Sequence, residues 1–567
     1  MRYTGAQILI KLLERQGIKQ IAGIPGGSNL PIYDAFYGSS IVPILARHEQ
    51  GAGFIAQGMA RSTGQVAVCL GSSGPGVTNL ITAVADANMD SIPLIAITGQ
   101  VPLNMMGTDA FQEVDTSALM RPITKHNWLV RSAKDLLEII PAAFRIATSG
   151  RPGPVAIDIP KDVQVQTLDI HSWPNPGTLG IPPEIESENI KAFIEMLRDA
   201  HRPVLMVGGG TIHSRCSSDL LDFVEKTQIP TVATLMALGT IPTEHPLFYG
   251  MLGMHGAPYT NIILEECDLL IGAGVRFDDR ATGKVEQFCP NADIVHIDID
   301  ASEFGKNKLP VLSIHADVGE VIRTVNKTLE QPFKRTIWHQ RIDELKVELP
   351  LELPGAKDIS RPYGALLQTA DLLDDDVIVT TDVGQHQMWA AQVYPLRHPR
   401  QWITSGGLGT MGFGLPAAIG AALARPEAKV LCISGDGSLL MNIQEMATAA
   451  EHNLNIKILL LNNRHLGMVR QQQELFYNAR YCSTNHNKET DFAMLARAMG
   501  AQGYNLGSTA DPFTMLYEAL NTPGPCVIEV PIDEAEKVLP MVPPGAANRE
   551  MIVNPNNESR SPPFCCN

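Results

Sequence analysis

From residue 18 to about residue 160, short and nearly uninterrupted apolar runs alternate with longer stretches whose apolar residues recur every three to four positions. The runs at 21–24, 66–70, 94–98 and 155–159 each close on Gly or Pro. Apolar runs of this length, separated by amphipathic helical segments, predict buried parallel strands of a doubly wound sheet. The pattern lapses at 170–183, a stretch rich in Pro, Gly and Asn that reads as a linker. A second set of runs follows at 204–207, 231–234, 269–273 and 294–297, closes near 315–317, and gives way to amphipathic helices over 318–349. After a second Pro-rich, charged break at 350–361, a third set lies at 377–381, 429–434, 456–461 and 526–530. The prediction is an α/β chain of three doubly wound parallel-sheet domains at 1–168, 187–345 and 360–540, with a Pro-, Ser- and Asn-rich tail over 541–567. The runs Gly71-Ser72-Ser73-Gly74-Pro75-Gly76 and Ser405-Gly406-Gly407-Leu408-Gly409-Thr410 each follow a strand-like segment and precede a helix of small residues, a faint echo between the first and third units.

Composition narrows the function. The chain of 567 residues carries 44 Lys and Arg against 60 Asp and Glu, a formal charge of -16, which repels a nucleic-acid backbone. Two uncharged stretches, 62–85 and 401–424, are long enough to span a bilayer, but Gly runs and Pro break both, so no membrane span is expected. The first residues lack the apolar core of a signal peptide. Nine cysteines, odd in number and never spaced CxxC, fit reduced thiols in a cytoplasm.

Candidate chemistry concentrates in Gly435-Asp436-Gly437-Ser438, which directly follows the run at 429–434, and in Asn462-Asn463, which ends the next run. Asp436 and Asn463 lie 27 residues apart, one βα unit, so a right-handed crossover brings both to the same carboxyl edge of the sheet. A carboxylate, an amide oxygen and nearby backbone oxygens form a hard site suited to Mg²⁺, and the glycines let a diphosphate approach the backbone. A lone Asp-Gly is usually an ordinary turn; joined to the Asn pair at this spacing it resembles the thiamine-diphosphate-dependent enzymes.

That resemblance implies a glutamate bonded to the cofactor's pyrimidine nitrogen, where it helps the amino-pyrimidine take the C2 proton. Arg47-His48-Glu49-Gln50-Gly51-Ala52-Gly53 offers Glu49 at the start of an apolar helix. In the middle unit Gly272-Ala273-Gly274 follows a strand and Asp298 ends the next, yet Phe277 stands where a dinucleotide fingerprint needs its third glycine. Val207-Gly208-Gly209-Gly210 fails likewise at His213. Both remain loops able to meet a phosphate or a flat ring.

Taken together, RHEQGAG (47–53), TDAFQE (108–113), RPGPV (151–155), TLMALG (234–239), MLGMHG (251–256), GVRFDDR (274–280), SGGLGTMGFGLPAA (405–418) and GDGS with its Asn pair resemble the catalytic large subunits of acetohydroxyacid synthase, also called acetolactate synthase, and among them the enterobacterial isozyme I type. The resemblance covers nearly the whole chain. It implies thiamine diphosphate, Mg²⁺ and FAD as cofactors, and transfer of a two-carbon unit from pyruvate to a second pyruvate or to 2-oxobutyrate, the first common step of branched-chain amino-acid synthesis. By motif, Glu49 activates the cofactor; Asp436, Asn463 and the backbone oxygen of His465 hold the metal; Gln385, His386, Gly437, Ser438 and Met468 contact the cofactor; and Met411 props it. Gly27, Phe111, Gln112, Lys161 and Arg280 border the substrate channel, and Gln472 occupies the position where most relatives carry a Trp that favours 2-oxobutyrate.

The FAD set implied is Arg151, Gly208, Gly209, Gly210, Thr234, Leu235, Met236, Leu252, Gly253, Met254, His255, Gly274, Arg276, Asp278, Arg280, Asp298 and Asp317. A homodimer or higher homo-oligomer with sites between subunits, and a small regulatory subunit, are implied as partners. Another flavin-containing thiamine enzyme such as a pyruvate oxidase is the alternative, and a noncatalytic nucleotide-binding protein the more distant one.

Overall fold

The computed structural model describes residues 1–178, 180, 182–329 and 331–554. The chain forms three six-stranded, wholly parallel sheets, and in each of them the four expected runs are the four inner strands. The first sheet runs, in spatial order, Val42–Leu45, Gln20–Gly23, Ala67–Gly71, Leu94–Gln100, Val155–Pro160, His126–Leu129. The second runs Phe248–Met251, Thr231–Ala233, Pro203–Val207, Leu269–Ala273, Asp293–Asp298, Leu312–His315. The third runs Trp402–Ile403, Ile378–Thr381, Val430–Gly435, Ile456–Asn462, Cys526–Pro531, Gln502–Asn505. Inner strands of a parallel sheet are covered on both faces and so read as continuous apolar runs. Edge strands differ: Val42–Leu45 and Leu312–His315 are largely exposed, whereas Phe248–Met251 is largely buried and Trp402–Ile403, also buried, is only two residues long. A small antiparallel pair, Arg2–Thr4 with Thr167–Asp169, ties the chain start to the end of the first unit.

Numbering strands within each unit, the first and third sheets share the order 2-1-3-4-6-5, so the faint echo between their glycine-rich segments reflects one topology used twice. The middle sheet has the order 3-2-1-4-5-6, that of dinucleotide-binding sheets. Each order reverses beside its first strand, and the crevice at that reversal is where such sheets take ligands.

The third sheet joins the other two. Along its strands successive side chains point to opposite faces. Leu431, Ile433, Leu459 and Leu461 belong to an apolar cluster continuous with Leu205, Val207 and Ile271 of the middle unit. Val430, Cys432, Ile458 and Leu460 belong to one continuous with Ala52, Phe54 and Leu80 of the first. The helices Glu49–Thr63 and Gly414–Ala424 meet within the second cluster, where small residues let the backbones touch: a Cβ at Gly420 would run into the Ile55 carbonyl, and one at Gly58 into that of Ala417.

Residues 541–554, read from the sequence as the start of a tail, lie against the middle unit. Met541 and Ile552 pair, Val542 N–H donates to the Met254 carbonyl at 2.9 Å, and the Asn548 amide donates to the Ala281 carbonyl at 3.0 Å. Apolar Met541 and Val542 supply the burial that the polar composition concealed. The rest of the expected tail, 555–567, lies outside the described residues. Among the described residues no helix is long and apolar enough to cross a membrane.

Candidate active site

At the reversal point of the third sheet, between the carboxyl ends of Ile378–Thr381 and Val430–Gly435, lies a cavity of about 50 Å³. Gln385, His386, Met411, Asp436, Gly437, Ser438, Asn463, His465 and Met468 all line it. Strand direction explains the convergence, since parallel strands deliver the loops that follow them to one edge. Two helices also begin here, Gln385–Val393 and Asp436–Met441, so unpaired N–H groups of their first turns face the cavity. Gln472 is half-buried on the helix Gly467–Phe476 and does not line the cavity.

The donor set fits a divalent cation with a diphosphate. Asp436 is buried, and its carboxyl is pushed up to about 6 by that burial, only partly offset by backbone N–H groups such as that of Gly437. A buried carboxylate without a cation is costly, and a metal ion removes the cost. The Asn463 amide is locked: its nitrogen donates to Gln385 Oε1 at 3.1 Å, and its oxygen accepts from His465 N–H at 3.0 Å with a second lone pair to spare. Among the described residues no group of three His, Cys, Asp or Glu could hold a metal, which leaves this one-carboxylate oxygen site as the cation candidate. His386 is kept neutral by burial, its imidazole pushed down to about 3, and its buried Nε2 has no partner. Gln385 contributes differently from expectation. Its side-chain amide donates to Gln471 Oε1 and to the Glu536 carbonyl, both at 2.9 Å, so what it offers an anion is its backbone N–H.

Glu49 is the first residue of the helix Glu49–Thr63, capped by the His48 ring, which accepts from Gln50 N–H at 3.1 Å. The carboxylate is buried and accepts from the Asn79 amide at 2.9 Å. The third unit of the same chain holds this helix start: the buried Glu445 accepts from Arg47 N–H at 2.9 Å and His48 N–H at 3.0 Å. Glu49 nevertheless does not line the third unit's cavity. Gly27, Phe111, Gln112 and Lys161 lie beyond the carboxyl ends of first-sheet strands, all exposed. Phe111 is 86% exposed, and Gln112 holds a φ of 61° with its carbonyl packed against Gly74.

Every middle-unit residue of the expected FAD set follows or ends a strand of the second sheet, and so lies at its carboxyl edge. Gly208, Gly209 and Gly210 follow Pro203–Val207 and Gly274 follows Leu269–Ala273, on the two sides of the reversal. Gly274 has a φ of 61°, and a Cβ on it would lie 2.7 Å from Gly210 Cα, so the two loops press together there. Thr234, Leu235 and Met236 follow Thr231–Ala233, and Leu252, Gly253, Met254 and His255 follow Phe248–Met251. Arg276, Asp278 and Arg280 continue the Gly274 loop; Asp298 ends its strand, its carboxyl pushed up to about 6 by burial. Asp278 caps a single helical turn and Asp317 the helix Val318–Thr328 with their side chains, and buried His255 bonds the Pro540 carbonyl through Nδ1 at 2.9 Å. Arg151 comes from the first unit and donates to Glu303 Oε1 at 2.7 Å.

Sequence reasoning missed the group that joins these edges. Buried Arg61 pairs with Asp86 at 3.1 Å and Asp90 at 2.9 Å, both on the first unit. The same carboxylates hold the loop that leads to Met411: Asp90 accepts from Gly406 N–H at 3.0 Å and Gly407 N–H at 2.7 Å, and Asp86 accepts from Ser405 Oγ and, at 2.9 Å, from Thr410 Oγ1. Beyond Met411, Gly412 N–H donates to the buried Asp382 at 2.7 Å. A glycine-rich loop is thereby fixed at both ends, and its Gly406 lies against Met236 of the middle unit. The sequence signal was two acids four residues apart in the otherwise uncharged segment 75–90.

Arg61→Met should leave two buried carboxylates without their cation and cost about 3–5 kcal/mol of stability, read as a lower urea midpoint. Burial, with Asp90 adding, already raises the Asp86 carboxyl to about 6. A raised carboxyl favours folding below its unfolded value and loses that contribution as pH climbs through 6, so the deficit of the variant should be larger at pH 8 than at pH 5.5.

Residues 3–119 match the family described as thiamine pyrophosphate enzyme, N-terminal TPP binding domain; 190–325 match its central domain and 382–530 its C-terminal TPP binding domain. The chain is 57% identical to the acetolactate synthase isozyme 1 large subunit of Escherichia coli (strain K12), over 97% of this chain and 98% of that one. It is 45% identical to the isozyme 2 large subunit of the same organism, over 97% and 99%. It is also 45% identical to the chloroplastic acetolactate synthase 1 of Nicotiana tabacum, over 98% of this chain and 86% of the plant protein.

Proposed function

The chain belongs to the acetolactate synthase large subunits, a family of thiamine-diphosphate-dependent enzymes, and from that premise we propose how its residues divide the work of joining two 2-oxo acids. The observation that carries the reading is the convergence of Asp436, Asn463 and His465 with the N-terminal turns of two helices on one cavity. Asp436, the Asn463 oxygen and the His465 carbonyl would hold Mg²⁺, while the first-turn N–H groups with His386 and Ser438 would hold the diphosphate. When bound, thiamine diphosphate supplies the carbon centre that takes up pyruvate, lets CO₂ leave and passes the two-carbon unit to a second pyruvate or to 2-oxobutyrate. Glu49 would hold the proton shared with the cofactor's pyrimidine nitrogen.

Glu49 and the third unit's cavity do not meet within one chain, which supports a site shared between two copies, as does the exposed Phe111 beside the same edge. The carboxyl edge of the middle sheet, with its dinucleotide order and apposed glycine loops, supports FAD there. Arg280, 65% exposed at that edge, makes only a long 3.8 Å ion pair with the exposed Asp279, which supports its meeting a substrate carboxylate. The description of relatives as large subunits supports a small partner subunit. The test is direct: protein supplied with Mg²⁺, thiamine diphosphate, FAD and pyruvate should release CO₂ and yield 2-acetolactate by NMR. Turnover that bleaches the flavin without forming acetolactate would overturn the reading.

Gln472 bears on the acceptor. A Trp there can pack a flat apolar face against the extra methyl of 2-oxobutyrate, whereas an amide gains nothing from one more carbon. One methylene in an apolar pocket is worth about 1–3 kcal/mol, roughly 10- to 200-fold in preference. With both acids present, the native chain should show little bias between the two products, and Gln472→Trp should shift the ratio about tenfold or more toward 2-aceto-2-hydroxybutyrate. A strong native bias to the four-carbon acceptor would assign the choice to another residue.

A further inference from the structure

The segment 482–486 runs along the lip of the third unit's cavity. His486 N–H donates to the Arg464 carbonyl at 2.9 Å, Leu466 N–H to the Thr484 carbonyl at 2.8 Å, and Asn485 pairs with His465 between them. These bonds carry the His486 ring in over the Asp436 loop. Its Nε2 is 3.8 Å from Asp436 Oδ2 and is buried without a hydrogen-bond partner. A Cβ built on Gly437 would lie 3.3 Å from that nitrogen, so the ring covers the Asp-Gly turn from outside. At 3.8 Å the imidazole is beyond hydrogen-bond range of the carboxylate. A buried polar atom left without a partner calls for an explanation, and a ligand that brings its own acceptor supplies one. His486 itself does not line the cavity; its nitrogen stands behind the Asp436-Gly437 turn that does, and the unpartnered imidazole nitrogen of a lining residue is that of His386.

We propose that His486 is a further diphosphate-binding residue, its Nε2–H donating to a phosphate oxygen held over the Asp436-Gly437 turn, so that the 482–486 segment fastens the cofactor's diphosphate from the solvent side. The inference rests on the reading of this cavity as the diphosphate site. It makes the backbone pairing of 464–466 with 484–486 a positioning device, which brings a donor from an exposed loop to an edge otherwise built from strand ends.

The test measures binding of thiamine diphosphate and, separately, of inorganic diphosphate to the full chain in saturating Mg²⁺, by calorimetry without substrate. His486→Leu should weaken both by about tenfold or more, the size expected for a hydrogen bond to an anion. His486→Gln, whose amide nitrogen can stand where Nε2 stands, should recover most of the loss. Unchanged affinity in His486→Leu would overturn the proposal, and so would equal weakening in both variants, since then the ring only packs. Asp436→Ala in the same assay keeps the two readings apart: if it too binds at native affinity the cavity is not the diphosphate site, whereas if it alone loses affinity only the role of His486 falls.

Discussion

Asp436→Ala is expected to leave a folded chain that no longer retains Mg²⁺ or thiamine diphosphate and has no measurable synthase activity. Asp436 is the one carboxylate of the proposed ligand set, buried at the start of the helix Asp436–Met441 and raised to about 6 by that burial, which nearby N–H groups only partly offset. Removing even an outer partner of a metal ligand costs about 10- to 100-fold in affinity, so loss of the only charged ligand should exceed about 100-fold. Folding should survive, since the variant removes a buried charge without a salt-bridging partner rather than a packed apolar group. The middle unit, held by its own sheet, should still bind the FAD proposed for it. Equilibrium dialysis for the metal, cofactor fluorescence and the flavin spectrum together check this. Retention of thiamine diphosphate at native affinity would remove Asp436 from the ligand set.

What could be read in the sequence follows from how each residue is used. Val204, Leu270 and Ile458 are covered on both faces of a sheet, so their runs are uninterrupted and visible without a fold. Val42–Leu45 and Gln502–Asn505 have one neighbour strand each and mixed exposure, and nothing in their composition separates them from loops. The convergence of Asp436 and Asn463 on one cavity was legible for a topological reason: each stands directly after an inner strand, and a strand end in a parallel sheet has a known destination.

The residues that brace the site had no such signal. Gln471 bonds Gln385 across 86 positions, and Asp90 bonds Gly407 across 317. Neither pairing has a local pattern: the first joins two helices of the third unit that only the folded sheet brings together, and the second depends on how the first and third units dock. Gln385 is instructive for the same reason: its place in the cavity was foreseen, but its amide is bonded away from the cavity by Gln471 and Glu536, partners that only the folded chain brings near. His486 lies in a polar stretch that reads as an ordinary loop until its pairing with 464–466 is seen.

Glu49→Gln is the sharper of the two tests, because it alters one proton and little else. The glutamine keeps the shape of the side chain and can still engage Asn79, which bonds Glu49 at 2.9 Å, and the helix start remains fixed by Glu445 on the Arg47 and His48 N–H groups. What the amide cannot do is take up and return a proton at the cofactor's pyrimidine nitrogen. A positioned acid or base contributes typically about 10²- to 10⁴-fold, so exchange of the C2 proton with solvent, followed by NMR on the bound cofactor, should slow by at least about 10²-fold. Turnover should fall with it, while thiamine diphosphate affinity should change far less, because the residues proposed to hold the metal and diphosphate lie in the third unit. The contrast with Asp436→Ala is the content of the prediction: one variant loses the cofactor and the other holds it idle. If C2 exchange in Glu49→Gln ran at the native rate, the proton relay would have to be assigned elsewhere, and the buried carboxylate at the head of Glu49–Thr63 would be a structural acceptor for Asn79.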